Sequence, residues 1–187
     1  KYIQRLNSME KLEKFNPEQI KIVNNSVAMA EELVSEYYKM SASQWLRRRY
    51  DIKTLVDLSP DETVHGPFAQ IIRYKGQRKD TSLGSSTYDY YKICLQDHAI
   101  LSVLKQFPQI KLFPFTLYIV SHELVHIVRF GKFLQNFEAS PEEMMMEETR
   151  VHEITHKILL AVHSPGLEDV LMFYDKWRKP IEDLRKQ

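Results

Sequence analysis

Cysteine and glycine are both scarce in this chain of 187 residues. Its one cysteine, Cys94, excludes an intramolecular disulfide and a zinc site built from cysteines. A lone cysteine also suits a reducing compartment, and we expect the protein in the cytoplasm. Five glycines, with 43% hydrophobic and 27% charged residues, are typical of a helix-rich globular chain that is long enough to bury a core.

Neither sign of charge dominates, and the chain lacks a long apolar run. The formal net charge is +1, which gives no electrostatic reason to expect a nucleic-acid partner. The longest apolar stretch, Leu112 to Val128, is interrupted by polar residues and falls short of the roughly 18 residues of a membrane span. We therefore expect no membrane partner. The first residue is Lys1 rather than methionine, which leaves room for an upstream targeting segment.

Helical and strand-like patterns follow one another along the chain. Asn16 before a proline predicts a capped helix start. Aromatic and β-branched residues predict strands at Phe68 to Tyr74 and Tyr88 to Leu95, which we expect to form a small antiparallel sheet with a long basic hairpin loop. We predict further helices at Ala99 to Phe107, Phe115 to Phe130, Ser140 to His163 and Leu167 to Leu184. The order predicts an α+β domain.

The helix predicted at Phe115 to Phe130 is apolar on nearly every face but carries His122, Glu123 and His126 at its middle. Burying these groups is costly unless something binds them. The two histidines lie about 40° apart and one turn apart, so both imidazoles can reach one ion at about 2.0–2.1 Å. Glu123, beside the first histidine, can take a proton from metal-bound water. The motif predicts a divalent metal site, with Zn²⁺ as the expected ion.

The helix that begins after Ser140 offers candidates for the third ligand that a catalytic zinc site needs. With Glu148 at zero, His152, His156 and His163 lie at about 40°, 80° and 60° around the helix. These four metal-binding side chain types therefore share one arc of about 80°. The arc alone does not choose among them.

This arrangement resembles the zincin metallopeptidases, in particular the gluzincin branch. The resemblance rests on the HELVH sequence at 122–126, followed by a turn and a helix that bears Glu148. It implies that the third ligand is a glutamate about twenty residues after the second histidine, and Glu148 lies 22 residues after His126. We therefore predict Glu148 as the third ligand and His152 as its competitor. The family often has Asp or Asn where this chain has His152.

The resemblance covers roughly residues 63–163 and implies a helix-rich α+β core with an edge strand near the metal, against which a peptide can lie. Residues 1–60 form a predicted N-terminal helical part and residues 166–187 a predicted C-terminal helix. We expect residues 1–187 to be one domain. The sequence does not indicate an oligomeric state.

The function that follows is a zinc-dependent hydrolase, in the first place a metallopeptidase acting on a peptide or protein. Glu123 is the predicted general base. His152, or else His156 or His163, is the predicted oxyanion-stabilising residue. Three further side chains could contact an oxyanion: Tyr118, Arg150 and Tyr174.

Two alternatives remain open at the level of sequence. His152 to His156 is a second HExxH motif, and the pairs Glu123/His126 and Glu153/His156 match the Glu-x-x-His spacing of di-iron helical oxidoreductases. Only one turn separates the two motifs, however, and the strand-like middle of the chain argues against a pure bundle. The other alternative is a metal-binding domain without catalysis.

Several remaining residues are expected to be structural. The Met144–Met146 run is predicted to pack in the core at a helix start. His65 and His98 are predicted to be structural or exposed. Glu147 is predicted to be a solvated carboxylate at the edge of its helix, and Cys94 a buried small apolar residue.

Overall fold

The computed structural model describes residues 12–41, 43–44, 50–77, 87–132 and 134–175. Its elements, in chain order, are α1 (Pro17–Tyr37), β1 (Tyr50–Lys53), β2 (Ala69–Gln77), β3 (Thr87–Leu95), α2 (Asp97–Gln106), α3 (Leu112–Gly131), α4 (Pro141–Leu160) and α5 (Leu167–Phe173). Short 3-10 turns at Leu55–Asp57 and Pro60–Glu62 connect β1 to β2. The predicted α+β, helix-rich fold class is confirmed.

The three strands form a mixed sheet in the order β1-β3-β2. Strands β2 and β3 pair antiparallel, with Ile71 opposite Ile93, as the sequence predicted. Strand β1 was not predicted, and it pairs with β3 in parallel. The expectation of a purely antiparallel sheet was therefore wrong. Residues 75–77 and 87 of the predicted loop belong to β2 and β3, and residues 78–86 lie outside the described residues.

Two of the predicted helix starts are confirmed in detail. The side chain of Asn16 accepts a hydrogen bond from the backbone N–H of Gln19, and the backbone N–H of Asn16 donates one to the side chain of Gln19. Together they form a complete capping box ahead of α1. Ser140 and Glu143 do the same ahead of α4. Helix α4 ends at Leu160, short of the predicted His163. The last predicted helix is described as α5, which ends at Phe173, and residues 176–187 lie outside the described residues.

Helix α3 is the centre of the fold. From Pro114 to Arg129 every residue except Glu123 is buried. Helix α1 packs along α3, and α4, α5 and β2 contact it from other sides. The apolar composition of this helix is the physical reason for its central place, since each of its faces must be covered. It follows that any polar side chain on α3 has to find its partner inside the protein.

Two carboxylates, those of Asp97 and Glu62, connect segments that are distant in sequence. Asp97, at the start of α2, accepts hydrogen bonds from the backbone N–H groups of Phe15 and Leu55 at 2.9 Å each. Glu62 accepts hydrogen bonds from Lys92 and from the hydroxyl of Tyr74. These long-range bonds connect segments that share no strand pairing.

Some expectations about single residues were right and others wrong. Cys94 is fully buried, and burial raises the pKa of its thiol to about 11, so it stays protonated at neutral pH. The Met144–Met146 run is exposed rather than packed in the core. His65 is exposed and its ring lies 5.3 Å from that of half-buried His98. Within the described residues, no helix has both the length and the apolar character required to cross a membrane.

Candidate metal centre

The facing sides of α3 and α4 bring three predicted ligands together. His122 and His126 lie one turn apart on α3, and both are buried. Glu148 lies on α4, and 46% of its side chain is exposed. Among the described residues, these three form the group whose ligand atoms all lie within 4.8 Å of one another.

The distances between the three donor groups fit a small tetrahedral cation. His122 Nε2 lies 2.9 Å from Glu148 Oε1, and His126 Nε2 lies 3.2 Å from Glu148 Oε2. The two Nε2 atoms are 3.2 Å apart. Metal–ligand bonds of about 2.0–2.1 Å in a tetrahedron separate neighbouring donors by about 3.3 Å. The triangle therefore has the size and the N,N,O donor set of three corners of a zinc site.

One of the two histidines is oriented by a second hydrogen bond. His126 Nδ1 lies 2.9 Å from Gln135 Oε1. Because a carbonyl oxygen can only accept, Nδ1 carries a hydrogen, and the other ring nitrogen, Nε2, faces the cluster. His122 Nδ1 is buried and has no hydrogen-bond partner among the residues that the structure describes.

The electrostatics of the cluster favour ligation. Burial lowers the pKa of His122 to about 4, so this ring is neutral at physiological pH. Burial also lowers the pKa of His126, but hydrogen bonding to Glu148 and the nearby carboxylate charges outweigh burial and raise it overall. The neighbouring histidines hold the pKa of Glu148 well below its usual range, against the opposing effect of burial. An ionised carboxylate thus faces imidazole nitrogens, an arrangement that a cation completes.

Glu123 lies beside this cluster without belonging to the donor group. It lines the same cavity as His122 and Glu148. Glu123 is half-buried, and the loss of water around its carboxyl group raises the pKa of that group to about 7; the charge of Glu148 reinforces this effect and that of His126 opposes it. A carboxyl group with a pKa in this range can both take up and release a proton, although a bound dication would lower that pKa.

A cavity of about 470 Å³ opens beside His122 and Glu148. Its polar lining residues also include Glu123 and His152. Its apolar lining residues include Phe68, Ala69, Ile119 and Phe173. Ala69 is the first residue of β2, which is an edge strand of the described sheet. An edge strand of the described sheet therefore begins at the rim of the cavity.

His152 is the only one of the three downstream histidines to line this cavity among the described residues. It is buried, with Nδ1 2.8 Å from the hydroxyl oxygen of Tyr118 and Nε2 3.3 Å from Glu148 Oε1. His163 is exposed and lines a separate surface pocket. His156 is half-buried. The cavity therefore favours His152 over the other two as the residue closest to any substrate.

Within the part of the chain that the structure describes, the second HExxH motif does not form a second group of metal-binding side chains. His152 faces the first cluster, but Glu153 is exposed. A di-iron site needs the carboxylates of both Glu-x-x-His pairs in one bundle core. The exposure of Glu153, together with the sheet, is the observation that disfavours the di-iron alternative.

Glu147 corrects one prediction. It is buried, and it forms an ion pair with Arg129 of α3 and a second one, at 3.1 Å, with Arg150. The prediction of a solvated carboxylate was therefore wrong, because the guanidinium of Arg129 gives the buried carboxylate a charged partner within the protein.

Two residues of the site were not assigned their place from the sequence. Tyr118 was considered as an oxyanion contact, whereas it contacts His152; it lies four residues before His122, and that spacing was the available signal. Gln135 was missed, because it lies in the α3–α4 connection, where no periodicity predicts orientation.

Comparison of the chain with family models, with curated proteins and with solved structures finds no match.

Proposed function

We propose that this chain is a zinc-dependent hydrolase that cleaves peptide bonds. The observation that carries the proposal is the triangle of His122 Nε2, His126 Nε2 and the Glu148 carboxylate, with sides of 2.9 and 3.2 Å, beside a cavity that Glu123 lines. Three protein ligands and an adjoining cavity are the arrangement of a catalytic zinc site, whereas structural sites use four protein ligands.

Zinc held by these side chains supplies a Lewis acid that activates water and polarises a carbonyl group. The chain contributes the proton transfers. Glu123 takes the proton of the attacking water on its carboxylate and then delivers it to the leaving amine. Burial of His122 keeps its ring neutral and able to ligate, and Gln135 fixes the orientation of His126.

The shape of the cavity supports a peptide substrate. Its volume of about 470 Å³ lies within the range of about 300–1,000 Å³ that is usual for ligand pockets. Strand β2 begins at its rim, and an edge strand can pair with an extended peptide through its backbone. The apolar lining residues Phe68 and Phe173 suit an uncharged side chain of that peptide.

A cytoplasmic location, which the single buried cysteine suits, belongs to the same proposal.

The test is hydrolysis of a mixed peptide library by the zinc-loaded protein and by Glu123→Gln. The variant is expected to bind zinc like the wild type while turnover falls by about 10²–10⁴-fold, the usual contribution of a general base. Glu153→Gln is the matched control, because it makes the same change at the same place in the second HExxH motif, where the side chain is exposed. It should leave both zinc content and turnover unchanged.

Three results separate this proposal from the alternatives. Zinc binding with no cleavage of any peptide by the wild type would leave a metal-binding domain without catalysis. Loss of the metal in Glu123→Gln would make Glu123 a ligand and favour a carboxylate-bridged di-iron centre. Equal turnover in Glu123→Gln and wild type would exclude Glu123 as the base.

A further inference from the structure

Tyr118, His152 and Glu148 form a chain of polar contacts that the proposed reaction does not use. The hydroxyl oxygen of Tyr118 lies 2.8 Å from His152 Nδ1, and His152 Nε2 lies 3.3 Å from Glu148 Oε1. The same Oε1 atom lies 2.9 Å from His122 Nε2. This series of polar contacts therefore ends on Glu148 Oε1, a ligand atom of the candidate metal centre.

The chemistry of the end group gives this chain a direction. An ionised carboxylate can only accept, so the hydrogen of a neutral His152 must be on Nε2 for it to bond Glu148. Nδ1 is then an acceptor, and the Tyr118 hydroxyl is the donor to it. Each hydrogen thus points towards Glu148, and the hydrogen bond donated by the phenol supports the tautomer of His152 that the carboxylate requires.

Tyr118 is a rigid starting point for such a chain. Its side chain is fully buried, and its ring stacks on that of Tyr174 with centroids 3.9 Å apart. Glu148, by contrast, has a long side chain that is 46% exposed. A glutamate with this freedom has several rotamers, and only some of them direct its carboxylate at His122 and His126.

We propose that Tyr118 and His152 are positioning residues, which hold Glu148 in the rotamer that binds the metal. The proposal rests on the metal site of the proposed function, but not on hydrolysis. His152 acts through Glu148 rather than as a ligand, since the group of donor atoms within 4.8 Å of one another contains His122, His126 and Glu148. This role differs from the oxyanion contact that the sequence suggested for His152.

The experiment measures zinc affinity by competition with a chromophoric chelator, and the absorption spectrum of the Co²⁺-substituted protein. Its variants are Tyr118→Phe, which removes only the hydroxyl, His152→Leu, and the double variant. Each single change is expected to weaken zinc binding by about 10–100-fold, the usual effect of losing a group that orients a ligand. Each should also shift the visible Co²⁺ bands. The double variant should be no weaker than His152→Leu alone, because both changes break one chain.

Two further variants keep the test decisive. Tyr174→Phe removes a phenol hydroxyl from the stacked neighbour and should leave zinc affinity unchanged. His152→Gln keeps a side-chain N–H that can reach Glu148, and it should recover part of the affinity that His152→Leu loses. Both changes, like Tyr118→Phe, preserve most of the side-chain volume, so a folded protein is expected, and thermal melting checks it.

Each contrary result overturns the proposal in a recognisable way. Loss of stoichiometric zinc in His152→Leu, with Tyr118→Phe unaffected, would make His152 a ligand. Unchanged zinc affinity and unchanged Co²⁺ bands in both single variants, with only turnover reduced, would make His152 a catalytic residue. Additive losses in the double variant would show that the two residues act independently. A wild-type protein that binds zinc without cleaving peptides would refute the proposed function but leave this test intact.

Discussion

Glu147 and Glu148 are consecutive residues of α4 that both lie against α3, but their partners differ. Glu147 is buried against the guanidinium of Arg129, and Arg150 contacts it from its own helix. Glu148 faces the imidazole rings of His122 and His126. The carboxylate of Glu147 is therefore paired with a permanent cation of the chain. The carboxylate of Glu148 faces imidazole nitrogens, which are not permanently charged.

One helix face thus holds a structural ion pair and, next to it, a group of side chains that could bind a metal ion. His126 and Arg129 are three residues apart on α3, so both point towards α4. A guanidinium is always charged, and it neutralises the carboxylate opposite it within the protein. A neutral imidazole has no charge, and the lone pair of its unprotonated nitrogen can bind a metal ion. The chain thus supplies its own cation to Glu147, whereas under the proposed function Glu148 binds an external one.

The largest effect should come from removing a ligand. His122→Ala, His126→Ala and Glu148→Ala are each expected to weaken zinc binding by more than the roughly 100-fold that a supporting residue can account for, because each removes a donor atom. Glu147→Gln is the matched control one residue away. It should retain one zinc per chain by mass spectrometry of the native protein. A zinc loss confined to the Glu147 variant would reverse the comparison.

The neighbouring ion pair between Arg129 and Glu147 should contribute to stability rather than to metal binding. Arg129→Met should lower the free energy of unfolding by about 3–5 kcal/mol, because it leaves the carboxylate of Glu147 buried without its main partner. Urea denaturation measures the change. Arg150→Ala, whose side chain is 53% exposed, should cost no more than about 1 kcal/mol. Zinc content should be unchanged in both, and a zinc-free but stable Arg129→Met would contradict the separation of the two sites.

The third prediction extends the comparison to Glu62, a buried carboxylate with a cation from the sheet. Hydrogen bonds from Lys92, from the backbone of Ser59 and from Tyr74 outweigh burial and lower the pKa of Glu62 to about 2. Glu62→Gln should lower stability by about 1–2 kcal/mol at pH 6. Because the folded pKa lies below that of the unfolded chain, this difference is present above about pH 4.5 and is lost as the pH falls towards 2.

Urea denaturation of the wild type and Glu62→Gln at pH 6 and at pH 3 checks the sign. The gap between the two proteins should narrow at the lower pH. A gap that widens on acidification would mean that the pKa of Glu62 is higher in the folded protein than in the unfolded chain, and that Lys92 is not its effective partner.

Local pattern was sufficient for the parts of the fold that depend on near neighbours in sequence. The capping boxes at Asn16 and Ser140, the apolar α3 and the arc that holds Glu148 are all set by spacings of three or four residues. Parallel pairing of β1 was not predictable, since Tyr50–Lys53 is too short to show alternation and its partner strand lies some forty residues later.

The same limit explains the errors at the candidate site. The burial of Glu147 depends on Arg129, which is in another helix, and a lone sequence gives no way to pair the two. The contact between Tyr118 and His152 joins residues 34 apart and depends on how α3 and α4 pack. The exposure of Met144–Met146 likewise depends on whether a neighbouring element covers that face of α4. Side-chain type identified the donors, whereas packing decided which partners they meet.

The central claim, that α3 and α4 form a zinc centre, is tested most directly by the metal content of the wild-type protein. Elemental analysis of protein purified without added metal, related to its concentration by amino-acid analysis, gives the metal ions per chain. We expect about one zinc per chain, because two histidine nitrogens and one carboxylate oxygen lie together in a single cluster. Two irons per chain, or no metal even after incubation with Zn²⁺, would contradict it.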